Sequence, residues 1–127
     1  FCLVEKINCI HNISKTQPSK KMTDKIVVLV NCSTSDEAEN IGKSLVEKRL
    51  AACVNIIPMM QSWYWWEDKV TQNNEVLIII KTSRKKFSKL EKEVVRLHSY
   101  AVPEVIALQI VEGSDNYLNW IDSALQN

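Results

Sequence analysis

The chain has 127 residues, 46% of them hydrophobic and 24% charged, enough for one domain with a packed core and too few for two. Sixteen Lys and Arg against fifteen Asp and Glu leave a net charge of +1, which gives no general attraction toward nucleic acid or anionic lipid. No apolar run reaches the ~20 residues that span a bilayer, and Glu5 and Lys6 interrupt the apolar head before a signal-peptide core can form.

Cys2, Cys9, Cys32 and Cys53 make no CxxC pair and have no histidine at zinc-ligand spacing. Reduced thiols in a cytoplasmic location are therefore expected. Residues 1–24 read as a flexible leader: 11–24 mix Ser, Thr, Gln, Pro, Lys and Asn with no periodic apolar face. Its Asn12-Ile13-Ser14 triplet has no secretory signal to expose it to glycosylation, and Met22 is an alternative start. The folded domain is expected over 25–127.

Within it, the β-branched run after Lys25 predicts a first strand over 25–33. Thr34 and Glu37 form a capping box, and Ala38, Ile41 and Leu45 recur at helical spacing, predicting a helix over 35–50. CVNIIP at 53–58 and SWYWW at 62–66 read as one long bent strand or two short ones. A polar turn over 67–74 then returns the chain antiparallel as the strand 75–81. Phe87, Leu90, Val94 and Leu97 share one face of a helix over 84–98, whose opening Arg84-Lys85-Lys86 opposes the helix dipole. Pro103 stops that helix, alternation over 105–111 gives a fourth strand, and Gly113-Ser114 opens a last helix burying Leu118, Ile121 and Leu125.

The order β-α-β-β-α-β plus a terminal helix is the split βαβ of ferredoxin-like α+β folds, with two helices on one sheet face. The other face is left bare, and self-association is the simplest way to cover it.

Catalytic patterns are thin. His11 and His98 fit no Ser-His-Asp or Cys-His order, and two glycines cannot make a phosphate loop. No catalytic residue is assigned. Several strings are informative instead: LAACVNIIP at 50–58, SWYWWEDKV at 62–70, EVLIIIKT at 75–82, HSYAVPEVIAL at 98–108 and YLNWI at 117–121. Together they closely resemble the CutA family of divalent cation tolerance proteins, in order and spacing, over residues 26–125.

The resemblance implies a ferredoxin-like homotrimer whose long strands wrap onto neighbouring subunits. It departs at His98-Ser99-Tyr100, where the family usually has H-P-Y, and at Trp66-Glu67-Asp68, where it usually has W-x-G. Asp68 can take the left-handed conformation of that glycine, so the hairpin should persist.

Relatives often place a metal-binding Cys where this chain has Cys32. The resemblance thus implies a non-catalytic protein with no obligatory cofactor that takes copper or another divalent metal through Cys32. His98 would be a second ligand if the trimer brings the two together. Each has a plainer reading: Cys32 as a buried strand thiol, His98 as a helix cap. Cys53, between Ala52 and Val54, reads as packing alone.

Trp63, Tyr64, Trp65 and Trp66 alternate across a strand with no flanking basic groove, so core or subunit interface is preferred to base stacking. Tyr64, Trp66, Glu75, Lys81, Tyr100 and Glu104 are the candidates for an interface or a polar cleft. The alternative function is a trimeric small-molecule sensor or scaffold, similar to PII signalling proteins, with ligands in clefts between subunits.

Overall fold

The β-branched run after Asp24 forms strand β1 (Lys25–Cys32) in the computed structural model, which describes residues 23–126. The leader reading of residues 1–22, with its Asn12 triplet and Met22, lies outside the described residues. Thr23 and Asp24, read as the end of the leader, already engage the fold. Thr23 Oγ1 donates to the Ile110 carbonyl, and the Asp24 carbonyl accepts from Arg84 N–H at 2.7 Å.

Helix α1 (Ser35–Glu47) starts where expected, with Thr34 Oγ1 accepting from Glu37 N–H. It ends three residues earlier than the 35–50 reading. Arg49 takes φ 59°, Arg49 N–H donates to Val46 O and Leu50 N–H to Leu45 O, a Schellman ending. Arg at the left-handed position in place of Gly concealed it.

Strand β2 (Cys53–Trp66) is one long strand, bent between Ile57 and Met60 by a bulge with Met59 at φ 65°. Pro58 is tolerated because β2 is an edge strand. Strand β3 (Lys69–Ser83) pairs with it across a two-residue turn, Glu67 and Asp68 both at positive φ. This is the left-handed turn that a right-handed hairpin requires. The expected 67–74 turn is therefore a correction: 69–74 are strand, extending an arm beyond the core. A single 3₁₀ turn, Arg84–Lys86, precedes helix α2 (Phe87–Leu97), so the expected helix over 84–98 is α-helical only from Phe87. Strand β4 (Val105–Gln109) and helix α3 (Asp115–Leu125, capped by Ser114) complete the chain.

The sheet order is β2-β3-β1-β4, every neighbouring pair antiparallel, the expected ferredoxin-like arrangement. Ile26, Val28, Val30 and Cys32 alternate into the core with Val76, Ile78 and Ile80, under Ile41 and Leu45 of α1 and Leu90 and Val94 of α2. Ser44 and Lys48 of α1 both reach Glu93 of α2, at 2.6 Å each, and Arg96 adds a bidentate pair at 2.8 Å. The other sheet face is open along Ile57, Ile106 and Leu108. Only at the end near Lys25 does α3 cover it: Ile121 and Leu125 are buried, and Lys25 Nζ pairs with Asp122 at 2.9 Å.

Candidate functional site

Three side chains converge at the C-terminal end of the interior strand β1. Cys32 closes β1, Glu37 lies in the first turn of α1, and His98 follows α2. One donor atom from each lies within 4.8 Å of the others. Cys32 Sγ is 3.8 Å from His98 Nε2, and Glu37 Oε1 is 4.0 Å from His98 Nδ1. Cys32 and His98 therefore meet inside one chain.

The hydrogen bonds fix the imidazole tautomer. Tyr100 N–H donates to Nδ1 at 3.1 Å, so Nε2 carries the proton and donates to Asn31 O at 2.6 Å. The side chain does not cap α2; only the His98 backbone N–H returns, to Val94 O. Glu37 accepts from Ser99 N–H at 2.8 Å and Ser33 N–H at 3.4 Å. Burial raises its carboxyl, but the Ser99 and Ser33 hydrogen bonds and the nearby His98 outweigh this and hold it below the usual carboxylate range. Burial, with the charges of Glu37 and Glu75, pushes the Cys32 thiol up to about 12.

A buried thiol, an imidazole and a carboxylate suit a soft or borderline divalent ion. Binding would have to expel the Cys32 proton and turn His98 Nε2 from donor to ligand. Nδ1 would then have to give up the Tyr100 N–H it accepts and carry a proton toward Glu37, whose Oε1 lies 4.0 Å away, a carboxylate being the usual outer partner of a metal-bound imidazole. Glu37 was read in the sequence only as half of a capping box. The candidate pair Cys32 and His98 thus has a third member on the same side of the core.

A second feature lies beside it. Tyr64, Trp66, Glu75, Tyr100 and Glu104, five of the six interface or cleft candidates, line one cleft of about 570 Å³. Glu75 is 6% exposed, and its carboxylate accepts from Tyr100 Oη at 2.7 Å. Burial, then that hydrogen bond, pushes the Tyr100 hydroxyl up, and burial with the charge of Glu75 raises Glu104. Lys81 does not belong with them. It sits at the far end of β3, its Nζ against Asn55 Oδ1. The aromatic run is not core: Trp63 is 68% exposed, Trp65 74% and Trp66 55%, because β2 and β3 carry it past the helices. Cys53 is half-buried near Asn55.

The family model described as CutA1 divalent ion tolerance protein matches residues 26–124. The divalent-cation tolerance protein CutA of Thermus thermophilus is 46% identical over 95 residues, 75% of this chain and 92% of the relative. A protein of Arabidopsis thaliana named CutA, chloroplastic, is 42% identical over 113 residues, covering 89% of this chain and 62% of the relative. The solved structure of the periplasmic divalent cation tolerance protein CutA from Archaeoglobus fulgidus superposes with a TM-score of 0.77 at 40% identity, covering 80% of this chain and 98% of that one. No helix among the described residues is long and apolar enough to cross a membrane. Relatives thus carry both chloroplastic and periplasmic names, and the cytoplasmic expectation has no support among them.

Proposed function

The chain belongs to the CutA1 divalent ion tolerance family, and from that premise we propose a non-catalytic, homotrimeric protein that binds copper or a similar divalent metal through Cys32 and His98, with Glu37 beside them. The observation that carries the reading is the convergence of these three donors within 4.8 Å, with His98 brought from 66 residues beyond Cys32. The trimer is argued from the open sheet face, where Ile57, Ile106 and Leu108 are each about half exposed, together with the protruding aromatic arm. Apolar surface of that kind is covered in solution by association.

Calorimetric titration with copper(II), and with cobalt(II) followed by its thiolate charge-transfer band, tests the site. Cys32→Ser should lose the band and most of the affinity, because a hydroxyl is a poor donor for such ions. Cys53→Ser should bind like the parent. Equal affinity in the parent and Cys32→Ser would overturn the site, and a stable monomer in sedimentation would overturn the assembly.

The second reading, a small-molecule sensor or scaffold, is favoured by one observation, the cleft of about 570 Å³ holding five of the candidate residues. It needs no metal and predicts ligand binding that survives Cys32→Ser.

A further inference from the structure

The trimer argued above covers the open sheet face and the aromatic arm, and helix α2 lies against the opposite sheet face. Its outer side carries charge that nothing in the chain answers. The stretch 84–92 holds Arg84, Lys85, Lys86, Lys89 and Lys92 against Glu91 alone, so the net charge of +1 conceals a local excess. None of these five makes an ion pair among the described residues, whereas Lys48 and Arg96 are both held by Glu93. Leu90 and Val94 face the core, while Lys85, Lys89 and Lys92, spaced by four and three residues, are exposed on the other side. The cations also stand at the unfavourable end of the helix. Arg84, Lys85 and Lys86 form the turn that opens α2, whose first turn has no acidic residue and no capping side chain, so they oppose the helix dipole. Neither pairing nor capping accounts for them within the fold.

We propose that this face of α2 is a docking surface for an anionic lipid bilayer, held by charge alone. Residues 84–92 contain no Trp or Tyr on which a base could stack. Four of the five cations are lysines, compact hydrated point charges, where bidentate fitting of individual phosphates calls for arginine. Such an array suits a diffuse field of anions. The apolar side of α2 is committed to the core, so the helix cannot insert, and the attraction acts at the level of the headgroups. A trimer carries the patch three times, and a bilayer is an extended array of anions that several patches engage at once. The assignment is independent of Cys32 and draws on the trimer only for this multiplicity.

The test is co-sedimentation of the full chain with vesicles of phosphatidylcholine alone, and with vesicles containing about a quarter phosphatidylserine. Binding should require the anionic lipid. Raising the salt from about 0.1 to about 1 M shortens screening from about 10 to about 3 Å and should abolish it. A lysine near such a surface is worth about fivefold in affinity, so each of Lys85→Gln, Lys89→Gln and Lys92→Gln should weaken binding several-fold. The triple variant should lose at least about tenfold, with the circular dichroism spectrum and sedimentation coefficient of the parent because none of the three is paired. Lys43→Gln, which removes a cation from α1, should bind as the parent does. No binding to anionic vesicles at low salt would overturn the proposal, and so would equal binding to neutral ones. If the triple variant binds like the parent, another surface is responsible and the proposal fails. If the patch holds a DNA duplex more tightly than vesicles of equal total charge, the partner is nucleic acid and the bilayer assignment is wrong.

Discussion

Replacing Tyr100 by Phe removes one oxygen and leaves the ring to pack as before. That oxygen donates to Glu75 Oε2 at 2.7 Å, and the Glu75 side chain, 6% exposed, has no other partner among the described residues. Hydrogen bonds to charged groups are worth about 1.5–3 kcal/mol, and an abandoned buried acceptor bears the full desolvation cost. We therefore expect Tyr100→Phe to cost about 2 kcal/mol, or roughly 10 °C in Tm for a domain of this size. Glu75→Gln in the same background should recover part of the loss, since a neutral amide tolerates a missing donor better than a carboxylate. The double-mutant cycle should give a coupling of about 1–2 kcal/mol. Urea unfolding followed by circular dichroism measures it, at one fixed protein concentration because self-association shifts midpoints. Metal affinity should not move, because the Tyr100 group that holds His98 is its backbone N–H. A cost under about 0.5 kcal/mol, or strict additivity of the two changes, would refute the argument that Glu75 depends on this hydroxyl.

Gly42→Ala should destabilise by about 1 kcal/mol in the same assay, because its Cβ would lie 2.8 Å from Val54 Cγ1 and overpacking of about 1–3 kcal/mol exceeds the helix-propensity gain of up to ~1 kcal/mol. Glu93 is held well below the usual carboxylate range by Arg96, then Lys48 and Ser44. Its contribution is thus present above the ordinary carboxylate pKa and lost as pH falls through the acid range, and Glu93→Gln should flatten the acid limb of Tm against pH. Cys32 has the opposite sign in the alkaline range: the fold keeps the neutral thiol up to about 12 against an ordinary 9.0. Its stabilisation is complete below about pH 9 and lost above it, so Cys32→Ala should shallow the alkaline limb, leaving the part due to Tyr100.

The fold was legible because period and punctuation agreed: β-branched runs bounded by polar turns, and helical spacing after Thr34. The errors lie where backbone geometry was taken by residues that do not advertise it. Arg49 and Met59 adopt positive φ, and neither is Gly or Asn, so a helix end and a bulge passed unseen, whereas Asp68 takes the left-handed conformation expected of it. Lys69 to Asn74 read as turn because all but Val70 are polar, yet they are polar because the arm is exposed on the single chain, while their backbone pairs fully with 61–66. Polarity reported exposure, and exposure was mistaken for irregular structure.

The site was legible only in part, for a reason of distance along the chain. Cys32 and His98 are 66 residues apart, and no local pattern carries such a contact; their pairing came from family resemblance, which left it conditional on assembly. The antiparallel neighbours of β1 bring them together without a second subunit. Glu37 was hidden by its own local role, because a capping-box glutamate satisfies every helix-start expectation and prompts no further question. Its side chain accepts from Ser33 N–H, one residue before the N-cap Thr34, and from Ser99 N–H just past His98. Lys81 failed in the converse way. A charged residue in an apolar strand drew attention by type, but at six positions from Glu75 along the extended β3 it stands about 20 Å away, beyond the reach of any single cleft. Charge in a strand marks a candidate, and only the register decides which candidates share a site.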